Sequence, residues 1–139
     1  MSGKQKYPVE TPQEWLRYAE GDLRVAEREL LSSSPVYPTV CFLCQSASEK
    51  FLKGFLISQG WSLEKTHDVV ELLALCTDYD TELGGMVAEG AILNEYITAG
   101  RYPGDIASEP VGSAEAKEAL KAAQTIRGRV SYLMKGSEA

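Results

Sequence analysis

Histidine is almost absent from this chain: among 139 residues there is one, His67. That excludes metal centres and catalytic constellations that draw on two or more imidazoles. Cysteine is scarce as well. With three of them, one is left unpaired within a monomer, which argues against a disulfide scaffold and for a reducing, cytoplasmic setting. The first ten residues, MSGKQKYPVE, lack the apolar stretch of a signal peptide. No apolar run approaches the roughly 18 residues of a membrane span. There is no excess of positive charge: 14 Lys and Arg face 20 Asp and Glu, a net charge of -6, which excludes general nucleic-acid binding. Neither a G-x-x-x-x-G-K-[ST] loop nor a G-x-G-x-x-G turn occurs, so no phosphate cradle of either kind is present. Gly84, Gly85 and Gly90 read instead as helix-packing or flexibility positions.

What is present is a hydrophobic fraction of 44%, too high for disorder, in a length that suits one globular domain. Charge is distributed unevenly. Residues 1–65 balance eight acids with eight bases; residues 66–115 hold ten acids against the single base Arg101; residues 116–139 hold two acids and five bases. The acidic middle is read as solvated helix faces, or as a surface that pairs with a basic partner.

All the periodicity is helical. Thr11, Pro12 and Glu14 form a start signal with a capping box, followed by Leu16, Ala19, Leu23, Ala26 and Leu30 at spacings of three and four. The run Ser32-Ser33-Ser34-Pro35 ends that helix. A second helix is expected from Thr39 to Gln59, with Gly60 as its stop. It is apolar nearly all round, as a central helix is. A third begins at Thr66-His67-Asp68 with Thr66 as cap, a fourth spans Thr81 to Thr98, and a fifth starts at the cap Ser113 and carries the stripe Ala116, Ala119, Ala123, Ile126, Val130, Leu133. The expected fold is all-α, an antiparallel up-and-down bundle of about five helices over residues 11–135, with a flexible segment at 1–10 and a tail at 136–139.

Several residue groups could carry chemistry. Cys41 and Cys44 form a C-x-x-C, but inside an apolar helix and without a second ligand pair. With Cys76 they read as buried small hydrophobes, and no metal site is expected. His67 lacks a nucleophile context, so it reads as a helix-start residue or as the one candidate for imidazole chemistry. Gln45, Glu49 and Lys53 recur every four residues along the second helix, with Lys50 beside them. They are either an exposed ion pair or a polar strip lining a dimer seam or ligand cleft, flanked by Phe42, Leu52 and Leu56. Arg101, in the break Arg101-Tyr102-Pro103, could hold a phosphate or carboxylate, or cap the preceding helix.

Trp15 with Ala19, Asp22, Leu23 and Ala26 resembles the opening W and A-x-x-D-L-x-x-A of the HEPN domain family (higher eukaryotes and prokaryotes nucleotide-binding). Cys41, Phe42, Gln45, Ala47, Glu49, Lys50, Leu52 and Lys53 resemble its C-F-x-x-Q-x-A-x-E-K-x-L-K segment. Thr66-His67-Asp68 and Arg101-Tyr102-Pro103 match its T-H-D and R-Y-P turns. The resemblance spans roughly residues 11–134. It implies a small helical bundle, often a homodimer and often encoded beside a minimal nucleotidyltransferase, sometimes as a toxin–antitoxin pair. Some members are ribonucleases that use an Arg, four to six residues, then a His. Here the nearest arginine before His67 is Arg28, and Leu43 and Ser46 stand where relatives commonly carry a His and a second Gln.

The expectation is therefore a non-catalytic module that dimerises and binds a nucleotide or a minimal nucleotidyltransferase. Its candidate ligand contacts are Gln45, Glu49, Lys50, Lys53, His67, Asp68, Arg101 and Tyr102. No cofactor beyond a nucleotide ligand is expected. The rivals are a ribonuclease that brings His67 and Arg101 together, and a purely structural helical adaptor.

Overall fold

A computed structural model describes residues 11–98 and 111–135. Six helices run in the order α1 Pro12–Leu30, α2 Tyr37–Ser58, α3 Val69–Cys76, α4 Thr81–Gly84, α5 Val87–Asn94 and α6 Ser113–Met134, and no strand occurs among the described residues. The expectations for residues 1–10 and 136–139 lie outside the described residues.

The apolar spacing dictates what is buried. On α1 the stripe residues Ala19, Leu23 and Ala26 are fully enclosed. On α2, Val40, Cys41, Cys44, Ala47, Phe51, Leu52, Phe55 and Leu56 are buried, so this helix is the axis against which α1, α3, α5 and α6 all pack. On α6 the row Ala116, Ala119, Ala123, Ile126, Val130 is enclosed, but Met134 rather than Leu133 closes it. The three cysteines lie in this core, and burial pushes each thiol up to about 12, which leaves them as inert packing residues.

Helix ends differ from the sequence reading in four places. Thr11 does cap α1 by accepting from the Glu14 N–H, but the Glu14 carboxylate turns to Arg17 instead of closing the box. α2 starts at Tyr37, two residues before Thr39, because Pro38 suits the first turn and the Glu29 carboxylate accepts from the Val36 N–H at 2.9 Å. α3 is capped by Asp68, not Thr66: the Asp68 carboxylate accepts from the Glu71 N–H at 3.0 Å. α6 has Gly112 at its cap, with Ser113 already helical and the Gly112 N–H donating to the Glu115 carboxylate.

The expected fourth helix is divided into α4 and α5, which makes six helices from five. Asp80 caps α4 by accepting from the Leu83 N–H, and the pair Gly84-Gly85 then ends it after one turn. α5 crosses α3 at Gly90, where an added Cβ would lie 2.8 Å from Leu73 Cδ1 and 3.4 Å from the Val70 backbone. Gly90, one of the glycines that weaken a continuous helix here, is what allows the close crossing. Asp80 also fastens this part to α6: the Arg129 guanidinium donates to both of its oxygens, at 3.0 and 2.6 Å.

Candidate functional site

The polar residues of α2 divide into two networks, because residues four apart share a face while adjacent residues are turned about 100° from one another. Lys50 belongs to the first. Its ammonium donates to Asp22 Oδ2 at 2.7 Å and to Ser46 Oγ at 3.1 Å, and the Ser46 hydroxyl donates to the same Asp22 oxygen at 2.8 Å. This joins the acid of the α1 motif to the lysine of the α2 motif. Ser46, which departs from the family pattern, supplies the bridging hydroxyl.

Gln45, Glu49 and Lys53 form the second network, and it closes on His67. Lys53 donates to Glu49 Oε2 at 2.7 Å; its side chain is only 5% exposed, and its ammonium lies 5.8 Å from the centre of the Trp15 ring. Glu49 Oε1 accepts from Gln45 Nε2 at 3.2 Å and sits 3.0 Å from His67 Nδ1. The same Gln45 amide donates to the His67 carbonyl at 3.0 Å. Residues 61–68 are thereby held against α2 at both the backbone and the side chain of His67. With its carbonyl taken by Gln45, His67 stays outside the helix, which accounts for α3 starting one residue after Asp68.

The electrostatics follow from this arrangement. Burial pushes the Glu49 carboxyl up, but the bonds from Lys53 and His67 together outweigh it and hold the group below the usual carboxylate range. An ionised carboxylate only accepts, so His67 Nδ1 carries the proton that faces it and Nε2 is the ring nitrogen left for another partner. Within the network Gln45, Glu49 and Lys53 are enclosed, whereas the His67 side chain is 57% exposed.

Asp68 continues the site toward α5. Its Oδ1 accepts from Asn94 Nδ2 at 2.8 Å, while Asn94 Oδ1 accepts from the Val69 N–H at 2.8 Å. The Asn94 bond, together with the capping N–H of Glu71, holds the Asp68 carboxyl below its ordinary value. Thr66 bridges here too, accepting from the Asp68 N–H and donating to Glu71.

The structure thus brings together Gln45, Glu49, Lys53, His67 and Asp68, and sets Lys50 in a neighbouring network. Arg101 and Tyr102 lie outside the described residues. The Glu49–Lys53 pair of the α2 strip is not exposed, and His67 and Trp15 lie against it. Asn94 was not legible as a site residue, since it has no motif around it and its partners are 25 and 26 residues away. Trp15 was legible only as part of a motif, not as the ring beside Lys53. Among the described residues no cluster of three His, Cys, Asp or Glu could hold a metal, and no helix is long and apolar enough to cross a membrane.

The sequence pattern of the HEPN domain matches residues 12–133. A crystal structure of an archaeal HEPN homologue is 25% identical with a TM-score of 0.71, the match covering 91% of this chain and 99% of that one. A crystal structure of a Thermus thermophilus protein is 32% identical with a TM-score of 0.74, covering 89% of this chain and 98% of that one. No curated protein sequence matches the chain.

Proposed function

This chain belongs to the HEPN domain family, and from that premise we propose that it is a non-catalytic binding module that self-associates and engages a nucleotide or a minimal nucleotidyltransferase partner. The observation that carries the reading is the asymmetry of the α2 network. Its charges are satisfied internally, and its one exposed member is an imidazole whose orientation Glu49 fixes. A ring held in place with an outward nitrogen is a preorganised hydrogen-bonding group for a ligand, because little rotamer freedom remains to be lost on binding. Lys53 and Lys50 support the site by positioning Glu49 and Asp22, and Arg101 is the cation that would add a phosphate contact. The Arg-to-His spacing of the family's ribonucleases is absent from the sequence, which favours binding over cleavage.

Calorimetric titration with ATP and GTP, with and without a nucleotidyltransferase, tests this, together with light scattering for the dimer. Heat with wild type that is lost in His67→Ala supports it. Silence with both nucleotides and no co-elution with the transferase overturns it.

One observation favours a second reading. A carboxylate that orients an imidazole is also how a general acid–base group is prepared. In that case His67 serves an RNase, together with Arg101. Cleavage of labelled RNA by wild type that disappears in His67→Ala would replace the binding reading with this one.

A further inference from the structure

A groove of about 630 Å³ runs between α1 and the C-terminal half of α6, and its lining shares no residue with the His67 network. Its floor is apolar: Leu16, Phe51 and Met134. Two cations, Arg17 and Lys135, stand at its rim against one carboxylate, Glu20, which Arg127 already engages at 3.3 Å. Arg17 is itself paired with Glu14, but both side chains are largely in water, at 66% and 41% exposure, where such a pair is weak and easily exchanged. The volume falls within the range of about 300–1,000 Å³ typical of small-molecule sites.

Two further features point to an occupant. Tyr132 lines the groove and is 68% exposed as a residue, yet it is not loose: the Arg129 guanidinium lies 5.1 Å from the ring centre, and Arg129 is fixed in turn by Asp80. A large aromatic surface is thereby held open to solvent in one place. The other is Gly128, in the middle of α6. An added Cβ there would meet nothing within 4 Å, so no packing in this fold requires a glycine. Glycine is the costliest ordinary residue inside a helix, and here its one structural effect is to leave the groove wall bare.

We infer that this groove is a binding site for a small planar aromatic anion. The ring would lie between Tyr132 and the apolar floor, alongside the bare backbone at Gly128, and the anionic end would meet Arg17 and Lys135. Offset stacking on Tyr132 and burial of the ligand ring supply the attraction, and the two rim cations select for charge. Phosphate, sulfonate and carboxylate share this chemistry.

Fluorescence titration with anilinonaphthalene sulfonate, a planar aromatic anion, tests the site in the full chain. The expected result is saturable binding of one dye per chain, weakened by about tenfold or more in Gly128→Leu, where the side chain fills the groove, and likewise in Tyr132→Ala. Cooperative melting by circular dichroism would show that both variants fold. His67→Ala leaves dye binding intact, so failure of the nucleotide reading and failure of this one are separate results. Displacement by nitrophenyl phosphate in preference to naphthoate assigns a phosphate ligand, and the reverse assigns a carboxylate. Equal dye binding by wild type and both variants, unsaturable binding, or displacement by neither competitor overturns the site.

Discussion

Glu49 and Asp80 are both carboxylates that hold a cation, and the contrast between their surroundings separates two uses of an ion pair. Glu49 takes its lysine from one turn further along α2, and the pair is enclosed, at 12% and 5% exposure. Asp80 takes an arginine from α6, 49 residues away, and that arginine is 24% exposed. The Asp80 pair ties two distant elements together and doubles as a helix cap. The Glu49 pair joins nothing that α2 does not already join. Desolvating two charges for a local contact is a poor way to stabilise a helix. What it achieves is to fix the carboxylate that orients His67. One region is therefore organised for cohesion, the other for presenting a side chain.

That contrast can be broken by experiment. The largest effect is expected from Glu49→Gln, which strands the buried Lys53 charge. It should cost about 3 kcal/mol in urea denaturation. If Lys53→Met in the same chain recovers most of that loss, the pair exists for positioning and not for stability. Next comes Asn94→Ala, which leaves the Val69 N–H without its acceptor and should cost about 1–2 kcal/mol. It should also impair ligand binding at His67 if Asp68 and His67 move together.

Asp80→Ala removes a cap worth about 1 kcal/mol, and the lost Arg129 contact adds to it, without any effect at His67. Acid titration sharpens the comparison. Burial and charge act against each other at Glu49, whereas at Asp80 the Arg129 bonds dominate, yet both carboxyls sit below their ordinary values in the folded chain. Their contribution is complete above the unfolded values of about 4 and is lost as pH falls through the lower folded values. Urea midpoints should therefore fall below about pH 4 in wild type, and less steeply in Asp80→Ala and Glu49→Gln. The smallest effect is a gain. Gly128→Ala lies outside both networks and should stabilise α6 by up to about 1 kcal/mol, a baseline against which the losses are read.

How far the sequence reached depended on the range of the interactions involved. The stripes of α1, α2 and α6 were legible because a period of three and four is a property of neighbouring residues. The cap at Thr11 and the stop at Gly60, with its φ of +97°, were legible for the same reason. The break of the fourth helix at Gly84-Gly85 was legible only as a weak point, and the crossing at Gly90 was not legible, because it depends on Val70 and Leu73 from another helix. In the site, the four-residue recurrence marked Gln45, Glu49 and Lys53 as one strip. It could not show that Lys50 turns to Asp22, or that Lys53 is shielded by Trp15.

The residues taken alone specify a helical chain with α2 at its centre, three buried cysteines, and a histidine chemistry limited to one imidazole. These follow from composition and local periodicity, which act before any long-range contact forms. The packing of the helices adds that this imidazole is held by Glu49, that Asn94 anchors the turn beside it, and that a groove opens beside Gly128. Each of these joins residues far apart in the chain, and which of several available partners a charge or an amide meets is fixed only when the helices pack.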